Sequence, residues 1–487
     1  MAYEAVIGIE AHVQLATRSK MFCGCSADIF AAEPNTHLCP VCLGLPGSLP
    51  TINEQAVRHV VALGLALNCQ VAPSSRFYRK NYHYPDLVKG YQITMYDLPI
   101  CRDGWMDLAL EGTVRRIGIT RVHLEEDTGK SLHLEGKTCV DFNRSGVPLA
   151  EVVTEPDLST PEEVRAYVVQ LQQVIRYLGV GSGDMEKGAL RIEVNVSVRP
   201  AGSAEMGTKV EVKNLNSFRA VLRSLEYEVQ RQQAALERGE ALLQETRGWD
   251  EARQVTFPQR SKEYAADYRY FPEPDLPPLR LEPAWVESVR ARLPELPWVR
   301  RARFVTRYGL PPATAALLTE EPAVAETFEA AVAESARQGL AEQVSPQTIA
   351  HWVTGELFRL LKESGKGTAE TPLRPAGLVE TIALVEEGTI TAGVGKEILA
   401  ELFQDGGSPR QRVQERGLAR IGDREALAAA VAQAIAGNPK VVSDYLGGKE
   451  TAIRFLIGQV MRATRGQADP NVTAELLGKQ LEALREK

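Results

Sequence analysis

Apolar and polar residues alternate from the start of the chain. In YEAVIGIEAHVQL, Ala5, Ile7, Ile9, Ala11, Val13 and Leu15 fall on one side, and Val6, Gly8, Glu10, His12 and Gln14 on the other. A period of two predicts a strand with one wholly apolar face. The opposite face presents Glu10 and His12 roughly 6 to 7 Å apart along the strand. Such a pair can hold a metal ion or move a proton. Taken alone, it reads first as a solvated strand face.

The same design recurs further on. RIGITRVHLEEDTGKSLH sets Val122 and Leu124 against His123 and Glu125, with Glu126 and Asp127 at the end. In DFNRSGVPLAEVVTEPD, Leu149, Glu151 and Val153 share a face, so Glu151 needs a partner if it is buried. RIEVNVSV turns Ile192, Val194, Val196 and Val198 inward and Arg191, Glu193, Asn195 and Ser197 outward. TKVEVKNLNSF does the same with Val210 and Val212 against Lys209, Glu211 and Lys213. Repetition over four or five strands predicts a sheet whose polar face is a floor for a charged substrate. Glu10, His12, Glu125 and Glu151 could converge there on a hard cation such as Mg²⁺, with Lys and Arg nearby to clamp phosphates.

Helical patterns separate these strands. One spans 53 to 68, one starts at Ser159, Thr160 and Pro161 and stops at Gly179, and one runs from about Ser217 to Gly239. QETRGWDEARQVTFPQRSKEYAADYRYFPEPDLPPL has weak periodicity and reads as loop plus a short helix, with a domain boundary near 280 to 295. Beyond 295, alternation gives way to helical spacing, broken at Gly365, Gly388 and Gly406, with a last group of helices from about Asp423. The domains expected are 1–294, 295–410 and 411–487. Two glycine-rich stretches are not nucleotide loops: GVGSGDMEKG has Glu186 in place of the third glycine, and GVGKE has Ile390 and Glu397 at defining positions.

Composition narrows the class. The chain has 487 residues, 44% hydrophobic and 24% charged, with a net charge of −7, which describes a globular protein and not a general polyanion binder. No apolar run reaches the ~18 residues of a membrane span. The N-terminus lacks a basic stretch typical of a signal peptide, so cytoplasmic location and no membrane partner are expected. Seven cysteines argue against a disulfide framework. Four of them, Cys23, Cys25, Cys39 and Cys42, form two tight pairs of the kind that hold structural zinc in a closed site; the alternative is four reduced thiols.

SSRFYRKNYHYPDLVKGYQITMYDLPI sets Tyr78, Tyr82, Tyr84, Tyr91 and Tyr96 among Arg79, Lys80, Asp86 and Lys89. It suits a surface for phosphates, bases or a tRNA end, or a loop packed on the sheet. Lys449, Arg454, Arg462 and Arg465 read as a solvated helix face or a nucleic-acid contact.

IGIEAHVQL, the CxC…CPVC pairs, KNYHYPDLVKGYQIT, VHLEEDTGKS, DFNRSGVPLAEVVTEPD, GDMEKGALRIEVNVS, EVKNLNSFRAV and DYRYFPEPDLPP occur in that order. Together they resemble the GatB family, the B subunits of the tRNA-dependent Asp/Glu amidotransferases, and the helical remainder is similar to that family's helical and tail domains. Three positions depart from the usual pattern: His83, Val88 and Glu193.

The resemblance implies an α/β (α+β) cradle domain with a mainly antiparallel sheet, then an all-α helical domain and a small all-α tail that contacts tRNA. It implies a ligase that uses ATP to phosphorylate the side-chain carboxylate of Glu misattached to tRNA(Gln), or Asp misattached to tRNA(Asn). Ammonia, released from glutamine by a glutaminase and channelled to this chain, then displaces the phosphate. The implied partners are the glutaminase (A) and small (C) subunits of the heterotrimer and the misacylated tRNA, with the non-discriminating synthetase a candidate one. Carried over by motif, His12, Glu125 and Glu151 resemble magnesium ligands, with Glu10 beside them at the channel mouth. Lys80, Lys89 and Arg191 are candidates for phosphate or channel contacts, and the four cysteines for zinc. The competing reading is a non-catalytic zinc-containing RNA-binding scaffold; a metal-dependent nuclease or phosphoesterase is a second rival.

Overall fold

The computed structural model describes residues 2–110, 112–261, 267–421 and 424–485. The chain divides into two compact units, Met1–Leu296 and Pro297–Lys487.

In the first unit, strand β1 (Tyr3–Gln14) is followed by helix α1 (Glu54–Ala66). Then come β2 (Gln70–Val71), β3 (Ser74–Ser75), β4 (Tyr78–Asn81), β5 (Tyr91–Thr94), β6 (Cys101–Leu110) and β7 (Thr113–Glu126). A hairpin of β8 (Lys130–Leu134) and β9 (Lys137–Asp141) leads to β10 (Pro148–Thr154), α2 (Pro161–Tyr177), β11 (Leu190–Pro200), β12 (Val210–Leu215) and α3 (Phe218–Glu237). The unit ends with β13 (Glu245–Asp250), β14 (Val255–Ser261), β15 (Phe271–Pro272), β16 (Leu279–Arg280) and α4 (Pro283–Arg290).

Nine of these strands form one sheet, in the order β14-β13-β12-β11-β1-β10-β7-β6-β2. Neighbours are antiparallel except β12 and β13. β1 lies at the middle, which is why its apolar side is so regular. Ile7, Ile9, Ala11 and Val13 are all completely buried, on the face that α1, α2 and α3 cover. Each helix starts where its capping residue lies. Asn53 accepts from the amides of Gln55 and Ala56, Thr160 and Glu163 form a reciprocal capping box, and Ser217 accepts from Ala220.

The opposite face carries a second, smaller layer. β15, β4 and β5 form a three-stranded sheet, and β5 packs against β7. The tyrosine-rich segment is thus two short strands laid over the polar floor.

The segment expected as loop plus short helix instead pairs β13 with β14 at the sheet edge; residues 262–266 of that segment lie outside the described residues. The periodicity is weak because polar side chains point inward here. Arg247 is buried, donates to Thr256 Oγ1 at 2.8 Å, and lies 3.6 Å from the fully buried Glu228 of α3.

The second unit is helical: α5 (Pro297–Tyr308), α6 (Pro312–Leu318), α7 (Pro322–Arg337), α8 (Pro346–Trp352), a π-turn (Val353–Leu357), α9 (Phe358–Ser364), α10 (Pro375–Glu386), α11 (Ala392–Asp405), α12 (Pro409–Arg416), α13 (Arg424–Gly437), α14 (Pro439–Leu446), α15 (Ala452–Ala463) and α16 (Pro470–Arg485). Most begin on a proline, whose fixed φ and missing N–H suit the first helical position. Asp423, where the last helices were expected to start, lies outside the described residues. Gly365 ends α9 in the left-handed region at φ 68°. One core gathers Phe304, Phe328, Trp352 and Leu378, a smaller one Val394, Ile398 and Leu402, and another Leu427, Val431, Leu456 and Leu477. The molecule is therefore an α+β unit with a mainly antiparallel sheet, followed by an all-helical part.

Candidate active site

The register of four central strands builds the site. His12 on β1 stands opposite Glu151 on β10 and opposite Arg191 on β11, and Glu151 stands opposite His123 on β7. One rung across the sheet thus reads His123, Glu151, His12, Arg191. Glu125, two residues beyond His123, projects from the same face.

His12 Nε2 lies 3.4 Å from Glu151 Oε2 and 3.7 Å from Glu125 Oε1. His123 Nε2 approaches the same two carboxylates at 3.6 and 3.9 Å. Arg121 contacts Glu151 at 3.2 Å, and Thr94 of the upper layer donates to Glu125 at 3.0 Å. Burial disfavours charge here, yet the groups hold one another ionised. Against burial, Glu151, Glu125 and Glu193 raise the His12 pKa from 6.5 to about 9. Glu151 is held well below the usual carboxylate range, burial opposing and His123, His12 and Arg121 lowering it. Glu125 is lowered too, burial and Glu151 opposing, His123 and His12 favouring the carboxylate.

Ligand atoms of His12, Glu125 and Glu151 all lie within 4.8 Å of one another. The Nδ1 atoms of His12 and His123 are buried without a hydrogen-bond partner, so Nε2 is the atom each ring turns to the carboxylates. Two carboxylates and an imidazole at this spacing fit a hard divalent cation.

A cavity of about 230 Å³ opens above, lined by Lys80, Tyr96, Arg121, His123, Glu125, Glu151 and Tyr270 among others. Lys80 reaches in from β4 and lies 5.1 Å from the centre of the Tyr268 ring. Burial lowers its pKa and Glu125, Tyr270 and Glu151 raise it, with a net upward shift, so it is an ammonium over the floor. An adjoining cavity of about 500 Å³ passes Glu10, Arg121, Asn195 and Lys209.

The other residues singled out in the sequence sit differently. Arg191 is on the floor but spans Asp127 with both guanidinium nitrogens, at 2.9 and 3.2 Å. Lys89 is not brought to the His12 group. It pairs with Glu126, whose carboxylate also accepts from the Ile93 amide of β5 at 2.8 Å. Glu10 accepts from Asn195 at 2.8 Å and converges with Glu193 and Glu211, again within 4.8 Å. Lys213 lies 2.7 Å from Glu193 and 3.4 Å from Glu211. That second carboxylate group, and His123, were visible as outward-facing residues. Their convergence required the strand register, which no local pattern displays.

The four cysteines come together away from the floor, all Sγ atoms within 4.8 Å. All are free thiols. The Cys23 thiol donates to Cys42, burial opposes, and the Cys39 amide and the Lys20 charge assist, so Cys42 is lowered to about 4. Four thiols this close together fit a tetrahedral zinc ion.

Fold and site together define a class: an α+β unit with a buried carboxylate–imidazole floor and a four-cysteine cluster, joined to an all-helical unit. The family model described as "GatB/GatE catalytic domain" matches residues 5–287, and that described as "GatB domain" matches residues 327–481. The chain is 53% identical over 484 residues to the B subunit of the aspartyl/glutamyl-tRNA(Asn/Gln) amidotransferase of Roseiflexus sp. (strain RS-1), covering 99% of each chain. It is also 53% identical over 486 residues to the protein of that name from Thermomicrobium roseum, covering 99% of each, and 48% identical over 483 residues to that from Thermoanaerobacter sp. (strain X514), covering 99% of this chain and all of the relative. The chain belongs to the GatB family.

Proposed function

We propose that this chain is the component of a tRNA-dependent amidotransferase that activates and amidates the side-chain carboxylate of Glu misattached to tRNA(Gln), Asp misattached to tRNA(Asn), or both. The observation that supports it most is the meeting of His12, Glu125 and Glu151 from three adjacent strands beneath a cavity roofed by Lys80.

A carboxylate oxygen is a poor leaving group. Transfer of the γ-phosphoryl group of ATP makes it a good one, and ammonia then attacks the acyl carbon and expels phosphate. Phosphoryl transfer is mostly positioning and charge neutralisation. His12, Glu125 and Glu151 would hold Mg²⁺, which when bound supplies positive charge to the phosphate oxygens. Lys80 adds a second positive charge from above, and Arg121 keeps Glu151 oriented. The adjoining cavity shares Glu10 and Arg121 with the first and offers space for the nucleotide. Glu10 borders both and faces the incoming ammonia.

The relatives are named as one lettered component of an amidotransferase, the B subunit, which supports a multisubunit complex with a glutaminase and a small third protein, its A and C subunits. In that complex the helical unit would bind tRNA. Among the described residues no helix is long and apolar enough to cross a membrane, and we assign the protein to the cytoplasm, where tRNA is charged. The four cysteines would hold a structural zinc ion. The test is transamidation of Glu-tRNA(Gln) and Asp-tRNA(Asn) by this chain with the A and C subunits, ATP, Mg²⁺ and glutamine. Amide formation on either tRNA supports the reading; tRNA cleavage with no amide formed contradicts it.

A further inference from the structure

The four-cysteine cluster has a close neighbour that no role yet explains. Lys20 is 0% exposed. Its ammonium makes one long hydrogen bond, 3.5 Å to the Phe142 carbonyl. Among the described residues no carboxylate lies within ion-pair distance of it, and nearby Glu126 turns its Oε1 to Lys89 and the Ile93 amide. A buried ammonium without an anion is costly enough that proteins rarely keep one.

The anion available is the thiol cluster itself. The Lys20 amide donates to the Cys25 carbonyl at 2.9 Å, which ties the lysine backbone to one cysteine. Gly146 shows where the side chain goes. A Cβ at this glycine would lie 3.6 Å from Cys42 Cβ, 3.6 Å from Lys20 Cδ and 3.9 Å from Glu126 Oε2, so the lysine stem, Cys42 and Glu126 flank the same backbone atom. Lys20, Cys23 and Cys42 also line one cavity.

We propose that Lys20 is the counter-charge of the metal centre formed by Cys23, Cys25, Cys39 and Cys42. This rests on the zinc reading of those cysteines. A divalent ion held by four thiolates carries two net negative charges, here at a half-buried place beside a fully buried lysine. One ammonium against it halves that charge, and the metal centre in turn pairs the ammonium. Lys20 is therefore a positioning and charge-balancing residue, not a ligand. Removing its charge weakens the metal-bound form and spares the metal-free one.

The experiment uses the full chain as wild type, Lys20→Met and Lys20→Arg. Zinc affinity is read by competition with a chromophoric chelator, and Tm is measured with zinc bound and with zinc removed. Lys20→Met is expected to bind zinc about 10- to 100-fold more weakly, the range for partners of metal ligands. Its zinc-free Tm is expected to equal or exceed that of the wild type, so the gain in Tm on adding zinc shrinks. Lys20→Arg keeps the charge and is expected to restore most of the affinity. Equal zinc affinity in Lys20→Met overturns the proposal. So does a zinc-free Tm that falls as far as the zinc-bound one, or failure of both variants to fold with or without zinc, because each marks a packing role. A wild-type protein that binds no zinc removes the zinc reading itself, and is told apart by that single sample.

Discussion

His12 and Glu151 face each other across neighbouring antiparallel strands, with the imidazole Nε2 3.4 Å from the carboxylate Oε2. Neither is placed by a loop. β1 and β10 are central strands whose other face is packed with helices, so the pair is held by the most constrained part of the unit. Glu125 and His123 arrive by the same device from β7. A cation site built this way is preorganised, and its members are separable by substitution.

Glu125→Gln, His12→Ala and Glu151→Gln each remove a proposed ligand and are expected to lower amide formation by about 100-fold or more. His123→Ala takes away a group that flanks the carboxylates and is expected to cost about 10- to 100-fold. Titrating Mg²⁺ distinguishes them: higher Mg²⁺ recovers part of the His123→Ala activity and little of the Glu125→Gln activity. Equal recovery in both would contradict the division of roles.

Arg191 gives a different expectation. Its guanidinium spans the buried Asp127, whose carboxyl is held below the usual range, burial opposing and Arg191 and Arg144 lowering it. Arg191→Ala leaves that carboxylate short of its main partner and is expected to destabilise the first unit by about 2 to 4 kcal/mol, seen as a lower denaturant midpoint. A normal midpoint with a raised KM for ATP would instead assign Arg191 to phosphate.

Much of this arrangement was legible in the sequence, for reasons that also explain what was not. β1 was readable because its apolar face is buried from Ile7 to Leu15, and α1, α2 and α3 because Asn53, Thr160 and Ser217 cap them. The meeting of His12, Glu125 and Glu151 followed from the face each occupies together with the family resemblance. Three things were hidden. β13 and β14 were unreadable as strands because Arg247, paired with Glu228 and Glu245, puts polar groups inside. Lys89, a phosphate or channel candidate carried over by motif, pairs with Glu126, a contact that no local pattern displays. Glu193 and Glu211 joined Glu10 only through the registers of β11 with β1 and β12. Single-strand periodicity shows which face a residue takes and not which neighbour it meets.

The cysteine cluster predicts one zinc per chain by elemental analysis. Cys42→Ala should lose the metal and lower Tm by roughly 5 °C or more, since zinc binding is folding free energy. Zinc retained at full stoichiometry in that variant would contradict a four-thiolate site.

Acid should loosen the second unit through Glu329. Arg303, Arg300 and Tyr308 hydrogen-bond to this carboxylate. Against burial, these groups lower its pKa from 4.5 to about 2. The folded value lies below the unfolded one, so the stabilisation is complete above pH 4.5 and is lost as the pH falls towards 2. Solvent screening limits it to about 1 kcal/mol. Wild type should exceed Glu329→Gln in Tm near neutral pH, and the difference should vanish as the pH approaches about 2. A gap that persists there would assign Glu329 a packing role.

The most direct measurement follows ATP cleavage and amide formation together, on Glu-tRNA(Gln) and Asp-tRNA(Asn), in the complex with the A and C subunits. The wild-type chain is predicted to couple ATP cleavage to amide formation on at least one misacylated tRNA, and Glu125→Gln to lose both while the complex still hydrolyses glutamine. Undiminished ATP cleavage and amide formation with Glu125→Gln would contradict the assignment of the His12–Glu125–Glu151 floor as the site of carboxylate activation.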